Sequence, residues 1–181
     1  YRVQAHERCT RISWSPGGTM GMSAGLEGDL QLYAFDIEAG SLSIRDTLSF
    51  PEETADGIWT SDDRWAVAGS FGVPFELWYL RVDPDTQTFS IVQTRLDHAS
   101  GVSALALDAN SDTLLTGGHN HTMHLYAHVP GVGLELRYDH PDDGVGVHSA
   151  RFSRDERYVA RTASTIDRLD ILRVEPSCLA P

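Results

Sequence analysis

The sequence predicts an all-β fold, a β-propeller built of four-stranded antiparallel blades, and three observations carry that reading. Apolar residues alternate with polar ones in short runs along most of the 181 residues, and no stretch sustains a helical period. Turns rich in Ser, Asp, Asn and Gly separate the runs; their side chains bond the turn backbone, or the missing Cβ permits positive φ. The pattern also repeats. Trp14, Trp59, Leu107 and Phe152 hold one equivalent position, the apolar end of a strand just before a turn, and by subtraction of those numbers they stand 45, 48 and 45 residues apart. A single such sheet cannot bury both its faces, so the repeats stack around an axis.

Each element follows from the same pattern. Around the anchors the chain reads ISWSPGGTMGMSAG from Ile12, GIWTSDDRWAVAGS from Gly57, LALDANSDTLLTGG from Leu105 and ARFSRDERYVARTA from Ala150: a strand, a polar turn, and a second strand closing mostly on small residues. In the first of these turns Gly17 and Gly18 are both free to take positive φ. Third strands are expected over Asp29–Phe35, Phe75–Val82, Met123–His128 and Arg168–Val174, and more polar fourth strands over Ser41–Leu48, Thr88–Arg95 and Gly133–Tyr138. The blades then span about 7–48, 55–95, 101–138 and 146–175 of a single unit, 1–181.

The last blade has no fourth strand after Val174, and residues 1–5 (YRVQA) precede His6 as fourth strands precede His98 and His140. Residues 1–5 are therefore expected to complete it. Two arrangements stay open: a closed ring of about four blades, or an arc of a larger ring whose additional blades come from more chain or from self-association. Closure would bring Cys9 near Cys178, where one bridge or two unpaired thiols are the alternatives. Trp14, Trp59, Trp65, Trp78 and Tyr158 recur at strand positions that inter-blade cores fill.

These residues resemble the WD-repeat family, whose blades carry a His before the first strand, an Asp before the third, and a Trp-Asp pair at its end. His6 with Leu32-Tyr33, His98 with Leu125-Tyr126 and His140 with Ile171-Leu172 reproduce the first and last marks, while the second blade lacks the His and keeps Trp78. Asp167 holds the Asp position in the last blade, His121 stands there in the third and Gly28 in the first, so the family's bracing network is incomplete. HSARFSRDERYVA from His148 and VDPDTQTF from Val82 are similar to lactonase-type propellers, the nearest competitor. The first resemblance implies a protein- or peptide-binding scaffold, the second an enzyme.

Composition narrows the functions. All fourteen basic residues are Arg, against twenty-six acidic ones, and the net charge of −12 disfavours general nucleic-acid binding. No apolar run reaches the roughly 18 residues of a membrane helix. No nucleophile elbow, phosphate loop or metal-spaced Cys pair occurs, so no catalytic residue and no cofactor is assigned. Unpaired thiols suit a reducing, cytoplasmic setting, although nothing in the chain fixes a compartment.

The densest ionisable cluster is His119, His121, His124 and His128. Strand alternation puts His119 and His121 on one side and His124 and His128 on the other, short of the three or four ligands of a zinc site unless His98, His140 or His148 adds one; no metal is assigned. The expected function is non-catalytic protein–protein interaction through the loops, with Asp97, His98, His119, His121, His140, Asp142 and Asp167 as binding candidates and a protein or peptide, basic in character, as partner. The alternatives are a lactonase-like propeller enzyme and an architectural part of a larger assembly.

Overall fold

The computed structural model describes residues 8–119, 122–140, 146–163 and 168–174. Fifteen strands and no helix occur among them. The first sheet holds β1 (Cys9–Trp14), β2 (Met20–Gly25), β3 (Asp29–Asp36) and β4 (Ser41–Ser49); the second holds β5 (Thr54–Trp59), β6 (Trp65–Ser70), β7 (Leu77–Asp83) and β8 (Thr88–Arg95). The third holds β9 (Val102–Leu107), β10 (Thr113–Gly118), β11 (Met123–Val129) and β12 (Gly133–His140), and the fourth β13 (Val147–Phe152), β14 (Tyr158–Ala163) and β15 (Leu169–Arg173). Every sheet is antiparallel with its strands in chain order, so each is a blade, and the fourth has three strands among the described residues. The expected completion by residues 1–5 and the pairing of Cys9 with Cys178 fall outside the described residues. Cys9 itself is exposed on β1.

Register confirms the repeat. Trp14, Trp59, Leu107 and Phe152 pair with Gly21, Ala66, Leu114 and Val159, in each case the second residue of the second strand. Four residues after each anchor the backbone enters the left-handed region, at Gly18 (φ 71), Asp63 (φ 60), Ser111 (φ 63) and Glu156 (φ 58). Gly17, expected to share that freedom, is not among the positive-φ residues. The left-handed residues also join the blades. Asp63 accepts from the Gly17 amide at 3.0 Å, Ser111 Oγ from the Ser61 amide at 2.8 Å, and Glu156 from the Ala109 amide at 3.0 Å.

Three apolar clusters fill the spaces between consecutive blades. Met22, Leu30 and Leu32 of the first pack on Ala66, Ala68 and Trp78 of the second. Val67, Leu77 and Tyr79 pack on Leu105, Leu114 and Tyr126, and Leu115 and Met123 on Ala150 and Val159. Glycine in the second strand sets the approach of the next blade. A Cβ at Gly69 would stand 2.9 Å from Val102 Cβ, and one at Gly117 2.5 Å from Val147 Cγ1. Gly117→Val should therefore overpack the joint between third and fourth blades and cost about 1–3 kcal/mol, read as a lower urea midpoint at unchanged slope.

Among the described residues the sheets are not closed into a ring. One physical consequence corrects the expected core: Trp59 and Trp78 are buried, but Trp14 is 51% and Tyr158 39% exposed. Both belong to the two end blades, where no described sheet covers them.

Candidate functional site

Each first strand carries one residue that its partner strand skips. The pairing passes from Cys9 to Arg11, from Thr54 to Asp56, from Val102 to Ala104 and from Val147 to Ser149, leaving Thr10, Ala55, Ser103 and His148 as bulges at one equivalent position. Bulges re-aim side chains out of the ladder, and all four of these residues line a single cleft of about 500 Å³. The first strands lie side by side in chain order, so four equivalent bulges make the mouth of the blade array.

Two bulge hydroxyls also hold blades together. Thr10 Oγ1 lies 3.0 Å from the Ala24 carbonyl in its own blade and 3.1 Å from the Thr54 carbonyl in the next. Ser103 Oγ donates to the Val147 carbonyl across the joint between third and fourth blades. Arg8, Arg11, Glu53 and His119 add charged or ionisable groups to the cleft, and Leu26 and Phe71 add apolar wall. His119 is placed by its amide bonding the Gly101 carbonyl at 3.2 Å and by an edge contact with the Phe71 ring, centroids 4.8 Å apart. Burial, and then the neighbouring His148, hold the His119 pKa below its ordinary value. Beneath the mouth Asp56 is buried 3.9 Å from Arg11 Nε and accepts from the Gly57 amide at 2.8 Å. Burial raises its pKa, against the opposing pull of Arg11.

His98, His124 and His128 do structural work in and beside the third blade. His98 is buried, with Nε2 2.7 Å from Thr116 Oγ1 and its ring 4.2 Å from that of His124. Burial drives its pKa down to about 3, with His124 adding to the shift and Asp97 opposing it. Asp97 accepts from Nε and Nη2 of Arg95, at 2.7 and 3.1 Å, and from the Tyr126 hydroxyl at 3.1 Å. His128 Nε2 meets the Tyr79 hydroxyl at 2.8 Å and so ties the third blade to the second. As strand alternation predicts, His124 and His128 share the face toward the second blade.

The ladder position of Thr116 and His124 is polar in two other blades: Ser23 and Gln31, both bonded to the Tyr33 hydroxyl, and Arg161 paired with Asp170 at 3.1 Å. In the second blade it is Ala68 with Trp78.

Of the sequence candidates, His119 lies in the mouth, His98 and Asp97 brace the third blade, and His140 ends β12 beside an apolar groove between third and fourth blades. His121, Asp142 and Asp167 lie outside the described residues. No group of three or more metal-ligating side chains occurs among the described residues. Sequence reasoning did not single out Thr10, Arg11, Ala55 and Phe71. The bulge residues share one sequence position, four residues before each anchor, but only the strand pairing marks that position as a bulge.

Residues 89–126 match the family model described as WD40: WD domain, G-beta repeat. The match runs from β8 to Tyr126 and so includes His98, Thr116 and His124. No curated protein matches the chain. The repeat, the antiparallel blades and this match make the architecture WD-repeat-like.

Proposed function

Taking the chain as a WD-repeat-like β-propeller, we propose that it is a non-catalytic interaction module that receives a peptide or protein loop in the mouth formed by its four bulges. The observation that carries the reading is the convergence of Thr10, Ala55, Ser103 and His148, one from every blade, on one cleft with Arg8, Arg11, Glu53 and His119. WD40 repeats generally serve protein–protein interaction or scaffolding. The WD40 match over residues 89–126 favours this reading over a lactonase-like enzyme.

The charge of the mouth sets the partner's chemistry. Two arginines and two histidines face one Glu at its surface, which suits an acidic side chain. The basic partner expected from sequence rested on Asp97, Asp142 and Asp167; Asp97 is neutralised by Arg95, and the other two lie outside the described residues. Burial and the neighbouring His148 hold the His119 pKa below its ordinary value, so at about pH 7.5 His119 is neutral and the positive charge that meets an acidic side chain comes from Arg8 and Arg11; raising the salt concentration should therefore weaken capture of an acidic peptide. Screening the chain against an array of random peptides tests the reading. Captured sequences should be acidic and should be lost in Arg8→Glu/His148→Ala; capture of basic sequences, or indifference to that variant, would reject it.

A further inference from the structure

Ladder positions that are core at the joints inside the series are open at its two ends. Leu30, Leu77 and Met123, each on the third strand opposite the fifth residue of the second, are at most 4% exposed, whereas Leu169 in that place is 64% exposed. Two residues further on, Leu32 and Tyr79 are fully buried and Ile171 is 61% exposed. At the other end Trp14 is 51% exposed where its equivalent Trp59 is 5% exposed, and Ile12 is 65% exposed where Leu105 is 1% exposed. The back of the fourth blade and the front of the first are therefore two halves of the joint the chain makes three times internally.

The halves also match in shape. Internally, large side chains on the back of one blade (Met22, Leu30, Leu32) meet small ones on the front of the next (Ala66, Ala68). The back of the fourth blade carries Leu169 and Ile171. The front of the first has Gly21 and Ser23 where the second has Ala66 and Ala68, and a groove of about 130 Å³ there is bounded by Ile12, Trp14, Tyr33 and Leu42.

We propose that a second copy of this chain covers both ends, the back of each fourth blade packing on the front of the other copy's first blade to close an eight-bladed ring with two-fold symmetry. Among the described residues of one copy the sheets are not closed, and Trp14, Ile12, Leu169 and Ile171 stay exposed, so the two matching faces do not serve each other. Eight blades lie within the range of known propellers. A head-to-tail contact gives a finite assembly when its rotation closes, and two joints per ring share the cost of association.

Sedimentation velocity on the full chain tests this. The wild type should sediment as a dimer of the 19.9 kDa chain at about 100 μM. Trp14→Glu on one face and Ile171→Asp on the other should each give monomers with unchanged circular dichroism, since both side chains are exposed in the single copy. Mixing the two variants should restore a dimer, because one unaltered front then meets one unaltered back. A monomeric wild type, an open ladder of larger species, or a dimer that survives either substitution would overturn the proposal. Failure of peptide capture leaves this readout untouched, so the mouth and the ring are judged separately.

Discussion

Trp78→Ala should lower the unfolding free energy by about 3–5 kcal/mol, the cost of emptying a large aromatic site in a packed core. Trp78 is 2% exposed, its ring stacks on Phe50 with centroids 3.7 Å apart, and its Nε1 donates to Glu76 at 2.9 Å. It stands where the third blade has His124, and beside it Ala68 replaces the hydroxyl of Thr116. The second blade thus braces itself with an apolar slab where the third uses a polar pair. Trp78→Phe keeps most of the ring and gives up the Nε1 bond, so its loss should be nearer 1 kcal/mol. Urea titration of the two variants beside wild type reads both values; equal losses would mean that the hydrogen bond, not the packing, holds the site.

Acid should destabilise the protein through His98. Burial holds this side chain neutral, with a pKa of about 3 against 6.5 for a free His, and its Nδ1 has no hydrogen-bond partner among the described residues. A depressed folded pKa means that the unfolded chain takes up the proton first. The stability contribution is complete above pH 6.5 and is lost as pH falls from there toward 3. By pH 4.5 the loss amounts to about 2–3 kcal/mol. His124 is shifted in the same direction by burial, so it adds to the slope. His98→Gln retains a polar group near Thr116 and cannot titrate. Its urea midpoint should depend less on pH between 7 and 4.5 than that of wild type, and parallel profiles would show that His98 is not the sensor.

These two residues illustrate what is legible in a repeat. Trp78 and His98 carry the family-like marks, and both are bracing positions in the structure. In the sequence His98 is equally a candidate loop ligand, since a His before a strand reads the same whether its ring turns inward or outward. What decides it is Thr116, eighteen residues along and opposite His124 on the adjacent strand. The same limit applies to Asp97, whose charge looks available until Arg95 and Tyr126 are placed around it.

The strands, the turns and the period are legible in the chain alone, because alternation, turn chemistry and left-handed residues act within a few positions of one another. The anchors at Trp14, Trp59, Leu107 and Phe152 mark one register position in four sheets by their spacing alone. Only the tertiary structure decided which of those anchors is core: Trp14 and Trp59 have the same local pattern, and the difference between 51% and 5% exposure is the presence of a preceding blade. It also decided where the mouth lies. A bulge is set by how two strands register against each other, so Thr10, Ala55, Ser103 and His148 became one site only when their ladders were paired and their blades stacked.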